Sequence, residues 1–136
     1  MLDKWARLDR VLQVLRLDLN VRAIAIVGSH ARGEARPDSD VDLVILCIEP
    51  QALLQAREWI FVAGETSHIS REEYGQLVSL RAHYESGFEV EFGIASVSWA
   101  GLPVDPGSAS VARNGMKVIY DPDDILHSML ESIERK

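Results

Sequence analysis

The sequence holds one cysteine, no surplus of positive charge, no apolar run long enough to span a bilayer, and no internal repeat or low-complexity tract. Each absence removes a class of function. With Cys47 alone, no internal disulfide can form. Set inside an apolar run, that residue reads as a buried thiol, neither a bridge nor a nucleophile. Lys and Arg number 14 against 21 Asp and Glu, a formal charge of −7. Proteins that grip a phosphate backbone show a basic face, so nucleic acid is disfavoured as a partner and small substrates or other proteins are favoured. No apolar run approaches the roughly 20 residues of a membrane span. The opening Met1-Leu2-Asp3-Lys4-Trp5 carries an early acid and no apolar block, so no secretory leader is expected and the cytoplasm is the expected compartment. His68, His83 and His127 share no spacing with Cys47 that suggests zinc.

What is present has the makeup of an ordinary soluble protein, with 47% hydrophobic and 26% charged residues. At 136 residues the expectation is a single domain over 1–136. That is enough for a core and too little for a separate substrate domain.

The stretch that carries chemistry is Gly28 to Leu43, GSHARGEARPDSDVDL. An apolar run, Val21 to Val27, leads into it and predicts a strand that breaks at Gly28 into a short helical turn, Ser29 to Gly33. Without a side chain, Gly28 lets a phosphate approach the backbone N–H groups. The turn's first N–H groups suit an anion. Ser29 offers a hydroxyl, and Arg32 and Arg36 offer positive charge. The glycine spacing of Gly28 and Gly33 is that of a P-loop, but Glu34 stands where that loop needs lysine. Separated from Ser29 by ten residues, Asp40-Val41-Asp42 opens a second apolar run. Alternation along a strand turns Asp40 and Asp42 the same way, and paired carboxylates at a strand end suit magnesium.

The rest of the chain predicts elements that frame this stretch. Apolar residues Trp5, Leu8, Val11, Leu12, Val14 and Leu15 share one face of a helix over Asp3 to Leu17. Val41 to Ile48, apolar on both faces past Asp42, predicts an interior strand. Gln51 to Phe61 predicts a helix stopped by Gly64. Glu65 to Ser70 predicts a polar loop, and Ser70-Arg71-Glu72-Glu73 has the form of a capping box, so a helical turn is expected there. Gln76 to Tyr84 and Phe88 to Ala95 alternate as an antiparallel pair around Glu85-Ser86-Gly87. Val78, Leu80, Ala82 and Tyr84 share one face of the first strand; Ser79, Arg81 and His83 share the other. Glu89 and Glu91 line one face of the second, and spacing leaves both open as a third carboxylate. Asn114-Gly115 predicts a hairpin between Ser110–Arg113 and Met116–Tyr120. Asp121 and Pro122 predict the start of a last helix, with Asp123 and Asp124 in its first turn and Arg135-Lys136 at its close.

Gly28, Ser29, Ala31, Arg32, Gly33, Ala35, Arg36, Ser39, Asp40, Asp42 and Leu43 match the pattern GSxARGxARxxSDxDL. The chain thereby resembles the minimal nucleotidyltransferases of the DNA-polymerase-β-like superfamily. Val90-Glu91-Phe92-Gly93 followed by Trp99 is similar to a strand of small family members, which transfers the third-carboxylate role to Glu91. The resemblance implies a mixed α/β (α+β) domain with a sheet of about five strands and helices mainly on one face. It implies transfer of a nucleoside monophosphate from a nucleoside triphosphate, most often ATP, to an acceptor hydroxyl. Gly28, Ser29 and Arg32 would hold the triphosphate. Asp40, Asp42 and Glu91 would bind two Mg2+ ions, with Glu91 also able to act as base. The acceptor would be a small hydroxylated molecule or a side chain of a companion HEPN-domain protein. A homo-oligomer is expected, since no residues remain to wall off the acceptor. The alternative is an antitoxin-like module that binds nucleotide with little or no turnover.

Overall fold

A computed structural model describes residues 4–36 and 39–134. Helix α1 (Lys4–Leu17) comes first, followed by strand β1 (Val21–Val27), the single turn α2 (Ser29–Arg32) and strand β2 (Val41–Cys47). A short helix α3 (Pro50–Gln55) and a 3₁₀ segment (Glu58–Ala63) lead to β3 (Thr66–Tyr74), β4 (Leu77–Tyr84) and β5 (Glu89–Ser96). A second 3₁₀ segment (Val97–Ala100), helix α4 (Pro106–Arg113), strand β6 (Met116–Tyr120) and helix α5 (Ile125–Glu134) complete it. The expected start of α1 at Asp3 and the closing Arg135-Lys136 lie outside the described residues.

All six strands form one sheet in the order β3-β4-β5-β2-β1-β6. The β2–β5 pair is parallel and the other neighbours are antiparallel. The apolar run of β2 therefore lies in the middle, as its two-sided hydrophobicity predicts, and Cys47 is fully buried in it. Burial pushes that thiol up to about 12, which keeps it protonated and inert.

The strand count of about five is one short, because Thr66 to Tyr74 pairs with β4 along its whole length. The capping-box pattern at Ser70 to Glu73 is overridden: Ser70, Arg71, Glu72 and Glu73 face Arg81, Leu80, Ser79 and Val78 across the ladder. Cross-strand partners decide such edge strands more than local propensity does. The expected hairpin around Asn114-Gly115 is also corrected. Asp105 caps α4, accepting from the backbone N–H of Gly107 and Ser108, so the residues before Asn114 are helical. The expected helix over Gln51–Phe61 is broken at Ala56, whose backbone is extended. The last helix starts later than expected, at Ile125, but Asp121 still serves its start by accepting from the N–H groups of Leu126 and His127.

Helices cover both faces, not mainly one. On the first, Leu8, Val11, Leu12 and Leu15 of α1, Leu53 and Leu54 of α3 and Trp59 and Ile60 pack on Leu43, Ile45, Phe92 and Ile94. On the second, Trp99, Ala112, Leu126 and Met129 pack on Ala23, Ala25, Val44, Leu46 and Ala95. The small residues of β1 and β5 on this face let α4 and α5 sit close, which is why a second layer fits. Asp42 and Glu91 belong to that second face, at the end of the sheet its helices leave open.

Candidate active site

Antiparallel β1 ends where β2 begins, so Val27 pairs with Asp42 and the Gly28 turn lies beside the start of β2. Parallel pairing sets Asp42 opposite Glu91, one strand further across. Thus Gly28, Ser29, Asp40 and Asp42 meet the sequence-distant Glu91 at one edge.

Gly28 has φ 74° and ψ −151°. A Cβ there would lie 2.5 Å from Oδ2 of Asp42, so no side chain fits without moving that carboxylate. The glycine thus makes room for an aspartate. Its carbonyl accepts from the N–H groups of Ala31 and Arg32, closing α2. Arg32 is held by the carbonyl of Asn114 at 3.1 Å and by Glu34 at 3.5 Å. Gly115 lies against the stem of Arg32, where a Cβ would meet its Cγ at 2.7 Å. Ser39 closes the motif's far turn by accepting from the Arg36 N–H at 2.8 Å. Its carbonyl lies 3.1 Å from Lys4 Nζ and 3.3 Å from His30 Nε2. His30 is half-buried and packed edge-on against Trp5, so it braces the motif and does not stand free as an exposed turn residue.

The carboxylates are joined by a residue that the motif does not contain. Arg81 on β4 faces Glu91 across the hairpin. Its Nη2 donates to Oε2 of Glu91 at 2.9 Å and its Nη1 to Oδ2 of Asp40 at 3.0 Å, with Oε2 of Glu89 at 3.5 Å. Buried Ser79 donates to the other Glu91 oxygen at 2.7 Å. His83 Nδ1 lies 2.8 Å from Glu89. Burial works against the guanidinium, but Glu91, Asp40 and Glu89 outweigh it and raise its already high pKa.

Asp42 shows what this much negative charge does. Burial first, then the neighbouring Glu91 and Asp40, push its carboxyl up to about 6. Asp40 is raised as well, by burial and then by Glu89, against the pull of Arg81. Among the described residues, Asp121, Asp124 and His127 form the set whose ligand atoms lie within 4.8 Å of one another. There Asp121 is occupied with the start of α5, and His127 Nδ1 sits 2.8 Å from it. Asp40, Asp42 and Glu91 are spread more widely around Arg81. As an all-oxygen donor set of like-charged, partly buried groups they suit a hard dication.

Two cavities adjoin this edge. One, of about 640 Å³, is lined by Gly28, Ser29, Arg32, Ser39, Asp40 and Asp42. The other, of about 700 Å³, shares Gly28, Arg32 and Asp42 and runs under Leu77, Gly93, Trp99 and Val111, with Glu91, Ser108 and Asn114 as polar groups. Gly93 keeps it open, since a Cβ there would press on the Leu43 carbonyl at 3.0 Å and on Leu77 at 3.1 Å.

A six-stranded mixed sheet with a glycine turn and acids at one edge defines a class of phosphate-handling folds, and comparison narrows it. Residues 8–86 match the nucleotidyltransferase domain, more than half of the chain, and the chain belongs to that family. The match ends before Glu91, so that residue lies outside it. A comparison with curated proteins finds no match. An aminoglycoside 6-adenyltransferase from Bacillus subtilis superimposes with a TM-score of 0.58 at 13% identity, over 74% of this chain and 37% of that one. This likeness supports the fold. The Cid1 poly(U) polymerase (TM-score 0.49, 21% identity, 68% of this chain and 29% of that one) and a cytoplasmic RNA terminal U-transferase (0.49, 21%, 81% and 34%) are more distant in shape. The chain spans about a third of the length of these structures. Among the described residues no helix is long and apolar enough to cross a membrane.

Proposed function

We propose that this chain transfers a nucleoside monophosphate, AMP from ATP, to an acceptor hydroxyl and releases pyrophosphate. The observation that carries the reading is the register of Asp42 with Glu91 beside the Gly28 turn, where two cavities meet. The backbone at Gly28 and Ser29, with Arg32, holds the triphosphate in the polar cavity. The larger cavity, with its apolar wall of Leu77, Trp99 and Val111, takes the nucleoside. Asp40, Asp42 and Glu91 would hold two magnesium ions, which supply counter-charge for the attacking and leaving oxygens. Glu91, opposite Asp42 in the β2–β5 register, would also take the acceptor's proton as general base.

The acceptor is a small hydroxylated molecule or a side-chain hydroxyl of a companion protein such as a HEPN-domain partner. Its outer wall comes from a second copy of this chain or from that companion, because orienting a hydroxyl in line with the leaving group requires enclosure. One observation favours the rival, a nucleotide-binding module with little turnover: Arg81 occupies oxygens of Asp40 and Glu91. Labelled transfer separates the two. With each α-labelled nucleoside triphosphate, magnesium and a cell extract, label is expected to pass from ATP to a small molecule or a protein. Asp42→Ala is expected to reduce this by about 10³-fold or more. No transfer and no pyrophosphate release from any triphosphate would leave the binding module as the better reading.

A further inference from the structure

Arg81 has no part in the proposed chemistry, yet it is the most heavily engaged side chain at the site. It bridges both strands that carry the acids, reaching Asp40 from one guanidinium nitrogen and Glu91 from another. The two oxygens it takes, Oδ2 of Asp40 and Oε2 of Glu91, are lone-pair donors that a divalent ion would need. A guanidinium and a dication cannot share those oxygens closely, because both carry positive charge and neither accepts a hydrogen bond. The third contact, Glu89 at 3.5 Å, is longer, and Glu89 also lies beside Asp40. Glu89 is itself anchored by His83 at 2.8 Å.

We propose that Arg81 is a resident counter-ion for the acidic edge, and that loading of divalent metal displaces it from Asp40 and Glu91 onto Glu89. Resting on the divalent-cation reading above, this assigns the two glutamates of β5 different tasks. Glu91 serves the metal; Glu89 receives the arginine. It also makes metal loading a competition inside the protein. Without metal, Arg81 relieves the repulsion that pushes Asp40 and Asp42 upward. With metal, the same arginine is in the way until it swings along β5 onto Glu89, a shift that side-chain rotamers accomplish without moving the strand.

The two parts of the proposal predict opposite effects on metal affinity. Removing the competitor tightens binding; removing its retreat weakens binding. Mn2+ titration, followed by the electron paramagnetic resonance of the free ion, reads both without any turnover. Arg81→Gln is expected to tighten Mn2+ by about tenfold, and Glu89→Gln to weaken it roughly threefold to tenfold. Since Glu89 acts through the arginine, Glu89→Gln is expected to have no effect in the Arg81→Gln background. A Glu89 that ligates metal directly would weaken binding in both backgrounds and overturn its assignment.

Unchanged or weaker Mn2+ binding in a folded Arg81→Gln protein would overturn the displacement and leave Arg81 a structural clasp. If Arg81→Gln does not fold, Arg81→Lys keeps the charge but loses the two-pronged hold, and is expected to bind Mn2+ roughly threefold more tightly. Wild-type affinity in that variant would overturn the proposal. Absence of Mn2+ binding in wild type and every variant would sink the proposal together with the metal reading. Binding in wild type that Arg81 substitutions leave unmoved would sink the proposal alone.

Discussion

The two sides of the acidic edge are built differently. On the β1–β2 side, the groups come from one contiguous stretch, Gly28 to Asp42, and are fixed by backbone geometry: a positive φ at Gly28 and a carboxylate seated where a Cβ would be. On the β4–β5 side, Glu91 is fixed by side chains, Ser79 on one oxygen and Arg81 on the other. Backbone-built sites tolerate few substitutions but need no partners. Side-chain-built sites can rearrange. The comparison assigns rigidity to the side of the Gly28 turn and adjustability to the side of Glu91.

A large effect is expected from breaking the adjustable side. Glu91→Gln is expected to lower turnover by about 10²-fold or more, even at saturating magnesium. Glu89→Gln, assayed at the same saturating magnesium, is expected to stay within a few-fold of wild type. A steady-state nucleotidyl-transfer assay checks both, and the reverse pattern would exchange the roles of the two glutamates.

A smaller effect tests the rigid side. Gly28→Ala combines an unfavourable φ with a 2.5 Å clash against Asp42. It is expected to cost about 1–3 kcal/mol of stability, visible as a lower melting temperature. Because the clash falls on a carboxylate, triphosphate and Mn2+ binding are expected to weaken with it. Wild-type melting and binding in this variant would refute the close contact.

The smallest effect concerns ionisation. A carboxyl raised to about 6 from its ordinary 3.8 binds more protons in the folded than in the unfolded state. Its charge therefore costs stability above that range, and the cost fades as pH falls through about 6 toward 4. Asp42→Asn is expected to raise the metal-free melting temperature at pH 7.5 by about 2–5 °C, since Asp42 is partly exposed and the burden is discounted accordingly. That advantage is expected to shrink by pH 5. Calorimetry at both pH values checks the sign; a constant difference would show that Asp42 is not burdened by its neighbours.

The same contrast explains what was legible in the sequence. The Gly28–Asp42 stretch is readable because its geometry is local: a strand, a glycine turn, a second strand. The placement of Glu91 beside the aspartates depends on β2 pairing with β5, and alternation could state only which face Glu89 and Glu91 share. Arg81 carried a usable signal. A turn at Glu85-Ser86-Gly87 pairs Tyr84 with Phe88, and the same register carried inward pairs Arg81 with Glu91. The strand β3 was hidden because its charged residues lie on an exposed edge, where no apolar alternation is required. Helix α4 was hidden because Asn114-Gly115 is a strong hairpin signal, here used to end a helix and begin a strand. Ser108 and Val111, in the wall of the larger cavity, come from that misread region.

The register between Arg81 and Glu91 also bears on how the chain assembles. Strands β3, β4 and β5 meander through short turns, so their contacts close small loops. Pairing β2 with β5 joins distant parts of the chain and is entropically slower. The topology implies that the glutamates of β5 acquire their arginine within the local hairpin before the aspartates of β2 arrive, an order that pulse-labelled hydrogen exchange on β4 and β5 would report. Four acids that would resist convergence as bare anions then meet as a strand already partly neutralised and its partner. A feature that restrains metal loading in the finished protein is, on the way there, what lets the acidic edge form.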